Sequence, residues 1–245
     1  MSMVVQRLEA KRKPEIHIRN YPSPGQSSAL DEGCIDIWVL NIGQDGESAS
    51  EHSLSPDEYE KACRFKTVQL RQRYIRAHDA LRRVLSRYVG RPADSLPFTY
   101  SAFGKPALDI THAPHFNLSH SGDKAIIAVS QQGVGIDIEE IKYDPPYEIS
   151  SSFLSGEEEA LLMAAVVSER KALFYRLWTA KEAVSKGVGL GLLLDFRKIA
   201  IRTRDENILV ELSSDASQGR RWCVQHLPVL SNFTVAVASH CDDTA

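Results

Sequence analysis

A short strand-like motif occurs twice in this chain, and the repeat constrains the fold more than any other feature. Ile-Asp-Ile at residues 35–37 recurs at residues 136–138, a spacing of 101 residues. A serine suited to capping a helix follows each copy, and these serines, Ser55 and Ser155, are 100 residues apart. We therefore predict an α+β fold of two similar subdomains with pseudo-twofold symmetry and an active site in the cleft between them. Chance similarity of short strand and cap signals is the alternative.

The order of predicted elements gives the boundaries of the two halves. Residues 1–28 are rich in proline, serine and charge, so we expect a loosely ordered N-terminal extension. An N-terminal α+β subdomain is predicted at residues 29–131, with a strand followed by a long helical region. A C-terminal α+β subdomain is predicted at residues 132–245, where the same order returns. Strands are predicted at residues 34–42, 124–130, 134–140, 196–202, 208–212 and 232–239.

Composition excludes several classes of function. The chain has 245 residues, and its net charge of −3 does not suggest nucleic-acid binding. No apolar run reaches the roughly 18 residues of a membrane span. The four cysteines show neither CxxC pairs nor zinc-ligand spacing, which argues against zinc and against a disulfide framework. These features favour a cytoplasmic protein without membrane or nucleic-acid partners.

The sequence VGIDIEE at residues 134–140 places acidic residues at alternate positions of a predicted strand. Asp137 and Glu139 share one face, because successive strand side chains point to opposite sides. Two adjacent carboxylates repel each other unless a cation lies between them or both are solvated. The strand is therefore either an edge strand with one solvated face or part of a metal site.

A third carboxylate lies on a predicted helix. Trp178, Glu182 and Lys186 are four residues apart and share one helix face. A surface ion pair is one interpretation. If the helix packs over the acidic strand, Glu182 joins Asp137 and Glu139, and three oxygen ligands suit Mg²⁺ or Mn²⁺. Position 139 corresponds to Trp38 in the first half, so we expect one such carboxylate site rather than two.

Mg²⁺ often binds together with a phosphate group, and several segments offer phosphate donors. Lys105 lies on a Gly-Lys-Pro turn that can also be an ordinary surface turn. Residues 115–122, HFNLSHSG, concentrate hydroxyl, amide and imidazole groups, or form a polar turn with local hydrogen bonds. Lys61 and Arg73 lie in a basic helical stretch that is mostly a solvated face.

Four motifs, GKP, FNLSHSG, GIDIE and WTAKEAVSK, occur in this order. Together they resemble the Sfp-type (surfactin-type) 4′-phosphopantetheinyl transferases over residues 29–239. The resemblance implies a pair of α+β subdomains with the active site between them. It also implies transfer of 4′-phosphopantetheine from coenzyme A to a serine of apo acyl or peptidyl carrier domains. That reaction is Mg²⁺-dependent and releases 3′,5′-ADP.

The resemblance also implies roles for individual residues. Asp137, Glu139 and Glu182 would hold Mg²⁺, with Mn²⁺ as an alternative. Lys186 would donate to the attacked phosphate or to the leaving oxygen. Glu182 is our hypothesis for the general base, and Asp137 completes the catalytic set. The residues implied to bind coenzyme A are Lys61, Arg73, Lys105, Pro106, Asn117, Ser119 and His120.

The resemblance makes a carrier protein the partner, and residues 141–155 are the expected border of its docking surface. An ordinary connecting loop is the alternative for that segment. Because the cleft forms within one chain, we expect a monomer. Two other functions stay open: a nucleotide pyrophosphohydrolase, and a non-catalytic module that binds carriers. The acidic residues with Lys186 argue against the second.

Overall fold

The computed structural model describes residues 14–21, 29–46, 49–190, 194–204, 207–212 and 222–240. These residues form helices and separate sheets, so the predicted α+β class is confirmed. The α-helices are α1 (Pro56–Cys63), α2 (Val68–Val89), α3 (Ser150–Phe153), α4 (Gly156–Ala164) and α5 (Val167–Val188). The strands are β1 (Glu15–Asn20), β2 (Cys34–Asn41), β3 (Phe98–Tyr100), β4 (Pro106–Leu108), β5 (His115–Ser121), β6 (Lys124–Ser130), β7 (Val134–Glu140), β8 (Ile199–Arg204), β9 (Asn207–Leu212), β10 (Trp222–His226) and β11 (Phe233–His240).

Each half of the chain contributes one sheet. The first sheet has the order β1-β2-β6-β5, in which β1 runs parallel to β2 and the other pairs are antiparallel. The second sheet has the order β7-β11-β10-β9-β8 and is antiparallel throughout. Strands β3 and β4 form a separate hairpin. The strand that carries the acidic motif, β7, is therefore an edge strand of the second sheet.

The repeat seen in the sequence is a repeat in structure. Helices α1 and α4 both begin with a capping box, formed by Ser55 with Glu58 and by Ser155 with Glu158. The long helices α2 and α5 both contain 22 residues, and a glycine with left-handed backbone follows each one. The same local signals therefore start and stop corresponding helices in the two halves.

The two capping glutamates are paired in equivalent ways. Glu58 accepts from Nε of Arg82 at 2.7 Å, and Glu158 lies 2.6 Å from Nζ of Lys181. Arg82 and Lys181 are 99 residues apart, on the two long helices. All four side chains are almost completely buried. Each pair therefore fixes a short helix to a long one, and the backbone amide of the capping serine also donates to the glutamate.

The halves meet along an apolar layer that both sheets build. Ile35 and Ile37 of β2 pack in one cluster with Val134, Ile136 and Ile138 of β7. The apolar face of β7 thus belongs to a core shared by the two halves. Its opposite face lies under α5, so the acidic residues of β7 are covered by that helix.

A glycine on β7 allows this close contact between strand and helix. A Cβ atom at Gly135 would lie 1.9 Å from the carbonyl oxygen of Ala183 and 2.4 Å from the amide nitrogen of Gly187. Any larger residue at position 135 would push α5 away from the strand. The approach of the backbones brings the side chains of the last turns of α5 over β7.

Four features differ from the expectations. Part of the predicted loose extension, residues 1–28, forms β1, which pairs with β2 along its length. Strand β10 was not predicted, and residues 115–121 form strand β5 where a polar segment was expected. Cys223 is disulfide-bonded, against the expectation from spacing, while Cys34 and Cys63 are free thiols. No described helix combines the length and the hydropathy needed to cross a membrane.

Candidate active site

The edge of β7, the neighbouring strand β5 and the end of α5 enclose a group of charged side chains. The amide of Ile136 donates to Oδ1 of Asn117 at 2.9 Å, which fastens β7 to β5. Lys186 projects from the last turn of α5 toward the same strands. The cluster therefore lies where the two halves meet, as the predicted cleft requires.

Asp137 is the centre of this cluster. Its Oδ1 atom accepts from Oγ of Ser119 at 2.9 Å and from Nζ of Lys186 at 2.5 Å. Its Oδ2 atom is buried and has no hydrogen-bond partner among the residues that the structure describes. Burial raises the pKa of Asp137 to about 7, against the opposing charge of Lys186 and with the help of Glu139 and Glu182.

Glu139 is half-buried and held from both sides. Oγ of Ser121 donates to its Oε2 atom at 2.8 Å, and Nε1 of Trp178 donates to Oε1 at 3.3 Å. Ser121 is two residues beyond Ser119 on β5, so both hydroxyls face the acidic side of β7. The indole of Trp178 and these hydroxyls orient the two carboxylates before any ligand is bound.

Glu182 lies on the same face of α5 as Trp178 and Lys186. Burial raises the pKa of Glu182, Lys186 lowers it, and Glu139 raises it further. The charge of Glu182 therefore interacts with the charges of Asp137 and Glu139. The three predicted carboxylates therefore interact electrostatically, but in the described part of the chain their oxygens do not form a group within 4.8 Å of one another.

This donor set fits a divalent cation. Three carboxylates whose charges interact lie beside the ammonium group of Lys186, and one oxygen of Asp137 is buried without a partner in the described part of the chain. Unpaired buried oxygen is costly unless an ion or a proton satisfies it. Hard oxygen ligands without sulfur or imidazole are typical of Mg²⁺ or Mn²⁺.

The predicted phosphate contacts of the first half lie toward the same site to different degrees. Desolvation lowers the pKa of His120, and the charges of Lys186, His78 and Arg73 lower it further, so these groups interact. Lys61 is exposed on α1, with its ammonium 5.5 Å from the ring centre of Tyr74. Arg73 therefore interacts electrostatically with His120. The contact that the structure shows for Lys61 is with the aromatic ring of Tyr74.

Lys105 and Asn117 are engaged in contacts that the sequence did not predict. Nζ of Lys105 donates to the carbonyl oxygen of Gly187 at 2.5 Å and of Val134 at 3.3 Å. Burial lowers the pKa of Lys105 to about 8. The Asn117 amide holds β7, as described above. Both side chains therefore fix the walls of the site, and the hairpin of Lys105 is tied to the end of α5.

A cavity of about 620 Å³ lies beside the hydrogen bond between Lys105 and Gly187. Its wall includes Tyr100, Lys105 and Pro106 from the hairpin region and Gly187 and Trp222 from the second half. Pro106 thus borders the cavity, which adjoins the charged cluster through Lys105 and Gly187.

Ser121 is a site residue that sequence reasoning did not single out. It was included in the motif at residues 115–122, yet it received no role. Treating that segment as a strand would have placed residues 117, 119 and 121 on one face, and so directed Ser121 toward Glu139. The role of Ser121 could be predicted only once the motif was known to form a strand.

Comparison with known proteins points to one family. The model of the 4′-phosphopantetheinyl transferase superfamily matches residues 133–238. The 4′-phosphopantetheinyl transferase Sfp of Bacillus subtilis is 33% identical over 165 residues, which cover 67% of this chain and 73% of that protein. The 4′-phosphopantetheinyl transferase HetI of a Nostoc species is 30% identical over 178 residues, which cover 70% of this chain and 75% of that protein.

A solved structure of a holo-(acyl-carrier-protein) synthase from Bacillus anthracis, in complex with coenzyme A, is also similar. It is 23% identical, covers 44% of this chain and 94% of its own, and superposes with a TM-score of 0.38.

Proposed function

Because the chain belongs to the 4′-phosphopantetheinyl transferase superfamily, we propose that it uses Mg²⁺ to move phosphopantetheine from coenzyme A to a carrier serine, releasing 3′,5′-ADP. Enzymes of this family act on coenzyme A and apo carrier proteins, and this chain is such an enzyme. The observation that supports the proposal most directly is the buried Oδ2 atom of Asp137, which is unpartnered within the described chain, on a carboxylate whose charge interacts with those of Glu139 and Glu182.

Asp137, Glu139 and Glu182 are the proposed ligands of the cation, with Mn²⁺ as a substitute for Mg²⁺. When bound, the cation neutralises negative charge on the pyrophosphate of coenzyme A. Ser121 and Trp178 keep Glu139 oriented, and Ser119 does the same for Asp137. Such outer partners tune and fix a metal site.

Lys186 is the proposed electrostatic catalyst. Its ammonium already contacts Asp137 and Ser119, at 2.5 and 2.9 Å, and carries three donors in total. An incoming phosphate can therefore take a further donor while the lysine stays anchored. A preorganised positive charge next to the transferred phosphorus stabilises the charge that develops in the transition state.

Glu182 is the proposed general base for the carrier serine. A carboxylate of raised pKa accepts a proton more readily near neutral pH than an ordinary glutamate does. Its position one turn from Lys186 places base and electrostatic catalyst on the same side of the cleft. Lys186 and Glu182 of α5 would then supply positive charge and proton removal, while Asp137 and Glu139 of β7 would help to hold the cation.

The remaining proposed contacts with coenzyme A involve residues of the first half of the chain. We propose that Lys61, Arg73 and His120 contact its phosphates, and that Ser119 lies beside them while its hydroxyl donates to Asp137. Lys105 and Pro106 border its adenosine end beside the 620 Å³ cavity. Asn117 supports this wall through β7.

The carrier protein is proposed to dock along residues 141–155, which continue from β7. Tyr143 in this segment is 96% exposed, and Ile149 is 37% exposed. Exposed aromatic and aliphatic side chains beside an active site are typical of a partner surface. A serine presented there enters the cleft from the side of Glu139.

We also propose that the division into residues 29–131 and 132–245 describes two subdomains of one monomer. Support comes from a cleft whose two walls belong to a single chain. A cytoplasmic location is proposed as well. The free thiols of Cys34 and Cys63 favour it, and the disulfide at Cys223 stands against it.

Release of 3′,5′-ADP tests this function against hydrolysis of coenzyme A. The protein is incubated with coenzyme A and Mg²⁺, with and without an apo carrier protein, and nucleotide products are separated by chromatography. We expect 3′,5′-ADP in the presence of the carrier and none with EDTA. Equal cleavage without the carrier would instead indicate a pyrophosphohydrolase.

A further inference from the structure

The parallel strands β1 and β2 bring together a second group of possible metal ligands, far from the carboxylates of β7 in sequence. Glu15 is the register partner of Cys34, and His17 is the partner of Asp36. All four side chains lie on the same side of this strand pair, because residues two apart on a strand share a face.

The ligand atoms are close enough to share one ion. A carboxylate oxygen of Glu15, a ring nitrogen of His17 and the sulfur of Cys34 lie within 4.8 Å of one another. Nε2 of His17 lies 3.5 Å from Oε1 of Glu15. Zinc bonds to these atoms are about 2.0–2.3 Å long, so a small movement of the exposed Glu15 side chain brings all three into range.

A buried carboxylate behind the histidine gives an independent indication. Oδ1 of Asp36 lies 3.4 Å from Nδ1 of His17, and the Asp36 side chain is only 1% exposed. In the part of the chain described, this oxygen makes no hydrogen bond. Zinc-bound histidines regularly donate their second ring N–H to a carboxylate, which fixes the tautomer and the ring orientation.

The other oxygen of Asp36 is already engaged. Oδ2 accepts from the hydroxyl of Tyr88 at 2.5 Å and lies 2.9 Å from Nε of Arg19. Arg19 therefore neutralises one side of the carboxylate, and Oδ1 stays directed at His17. This is the arrangement expected of a carboxylate that positions a histidine ligand.

We propose that Glu15, His17 and Cys34 form a zinc site at the edge of the first sheet, with Asp36 as the positioning residue of His17. The thiolate sulfur and the imidazole nitrogen select Zn²⁺ over Mg²⁺, which prefers oxygen ligands. Water takes the fourth tetrahedral position. On binding, the thiol of Cys34 gives its proton to solvent and a zinc–sulfur bond forms.

The site would fasten β1 to the fold. Strand β1 lies at the outer edge of its sheet and pairs with β2 alone within that sheet. Residues that ligate one ion from both strands add a cross-link to these backbone hydrogen bonds. The proposal also departs from the expectation drawn from cysteine spacing, because the ligands come from two strands rather than from one motif.

Cobalt substitution tests the proposal, because Co²⁺ occupies tetrahedral zinc sites and zinc itself has no visible absorption. The full chain is stripped with a chelator, dialysed and titrated with Co²⁺ or Zn²⁺. We expect one equivalent to bind and a thiolate-to-cobalt charge-transfer band to appear. That band should be absent in Cys34→Ser and unchanged in the matched variant Cys63→Ser.

Two further variants secure the interpretation. His17→Gln changes a partly exposed side chain, so it tests the site even if Cys34→Ser does not fold; at least about 10-fold weaker Co²⁺ binding is expected. Asp137→Asn removes the proposed magnesium ligand and should leave the band intact, which separates the two sites. Absence of the band in the native chain, its persistence in Cys34→Ser, or native Co²⁺ affinity in His17→Gln would overturn the proposal.

Discussion

Nζ of Lys186 lies 2.5 Å from Oδ1 of Asp137, which links the end of the longest helix of the second half to its edge strand. The lysine occupies one oxygen of the carboxylate and leaves the other directed into the site. One residue pair thus combines a fixed cation with an oxygen that is available to a metal ion.

Replacing Asp137 by Asn should abolish metal-dependent activity. The amide retains the shape of the side chain but loses the negative charge that attracts Mg²⁺. We expect turnover to fall at least about 100-fold, more than the loss typical of outer-shell partners. Titration calorimetry with Mg²⁺ should show weaker binding in the variant, and thermal melting should show that it remains folded. Native Mg²⁺ affinity in Asp137→Asn would contradict the assignment.

Replacing Lys186 by Met should reduce kcat far more than it changes the KM for the carrier. The ammonium stabilises charge that develops in the transition state, so its loss costs about 100-fold or more in kcat. Lys198→Met serves as the control, because Lys198 is an exposed lysine on a later turn. Steady-state kinetics with coenzyme A and a carrier protein would measure both variants. A change confined to KM would make Lys186 a binding residue only.

Acid should weaken the first half through Glu58. Burial alone raises the pKa of Glu58, but hydrogen bonds from His78 and the Ser55 amide, with the charge of Arg82, lower it to about 2. A carboxylate whose pKa is lowered by folding stabilises the protein above its ordinary pKa of 4.5. That contribution disappears as the pH falls from about 4.5 to about 2.

Glu58→Gln should therefore lose about 3 kcal/mol of unfolding free energy at pH 7, because it leaves Arg82 buried without its anion. The difference from the native chain should shrink through the same acidic range. Urea unfolding at several pH values measures this. Glu60→Gln on the same helix is the control, since Glu60 is 67% exposed and its ion pair is worth little. Equal losses in both variants would refute the role of Glu58.

Gly135→Ala should destabilise the protein and its active site together. The added methyl group would lie 1.9 Å from the carbonyl oxygen of Ala183, so α5 must move away from β7. We expect a loss of about 2–3 kcal/mol in unfolding free energy. At Gly156 a Cβ meets nothing within 4 Å, so Gly156→Ala should change stability by less than about 1 kcal/mol. Similar melting temperatures for the two variants would show that the helix tolerates the shift.

The sequence predicted those structural features that depend on residues close together in the chain, such as helix caps and the faces of helices and strands. Ser55 and Ser155 cap helices as expected, because a capping box depends on residues three positions apart. The shared face of Trp178, Glu182 and Lys186 follows from helical periodicity, and it was placed correctly over β7. The alternation of acidic residues in VGIDIEE likewise predicted which side chains share a face.

The pairing of segments that are distant in the chain could not be predicted from these local patterns. The pairing of β1 with β2 depends on register between distant segments, so the strand was missed and its cluster with Cys34 was invisible. The backbone contacts of Lys105 depend on where the hairpin docks. Oδ2 of Asp137 has no hydrogen-bond partner among the described residues. This depends on how β5, β7 and α5 meet, which the sequence does not show.

Intact-protein mass spectrometry of an apo carrier protein is a direct test of the proposed phosphopantetheine transfer. The carrier is incubated with this protein, coenzyme A and Mg²⁺, and parallel samples contain EDTA or the Asp137→Asn variant. We predict a gain of one phosphopantetheine on the carrier serine, and we predict that this gain is lost in both parallel samples. An unmodified carrier across a panel of acyl and peptidyl carriers, or modification that persists in EDTA with Asp137→Asn, would contradict it.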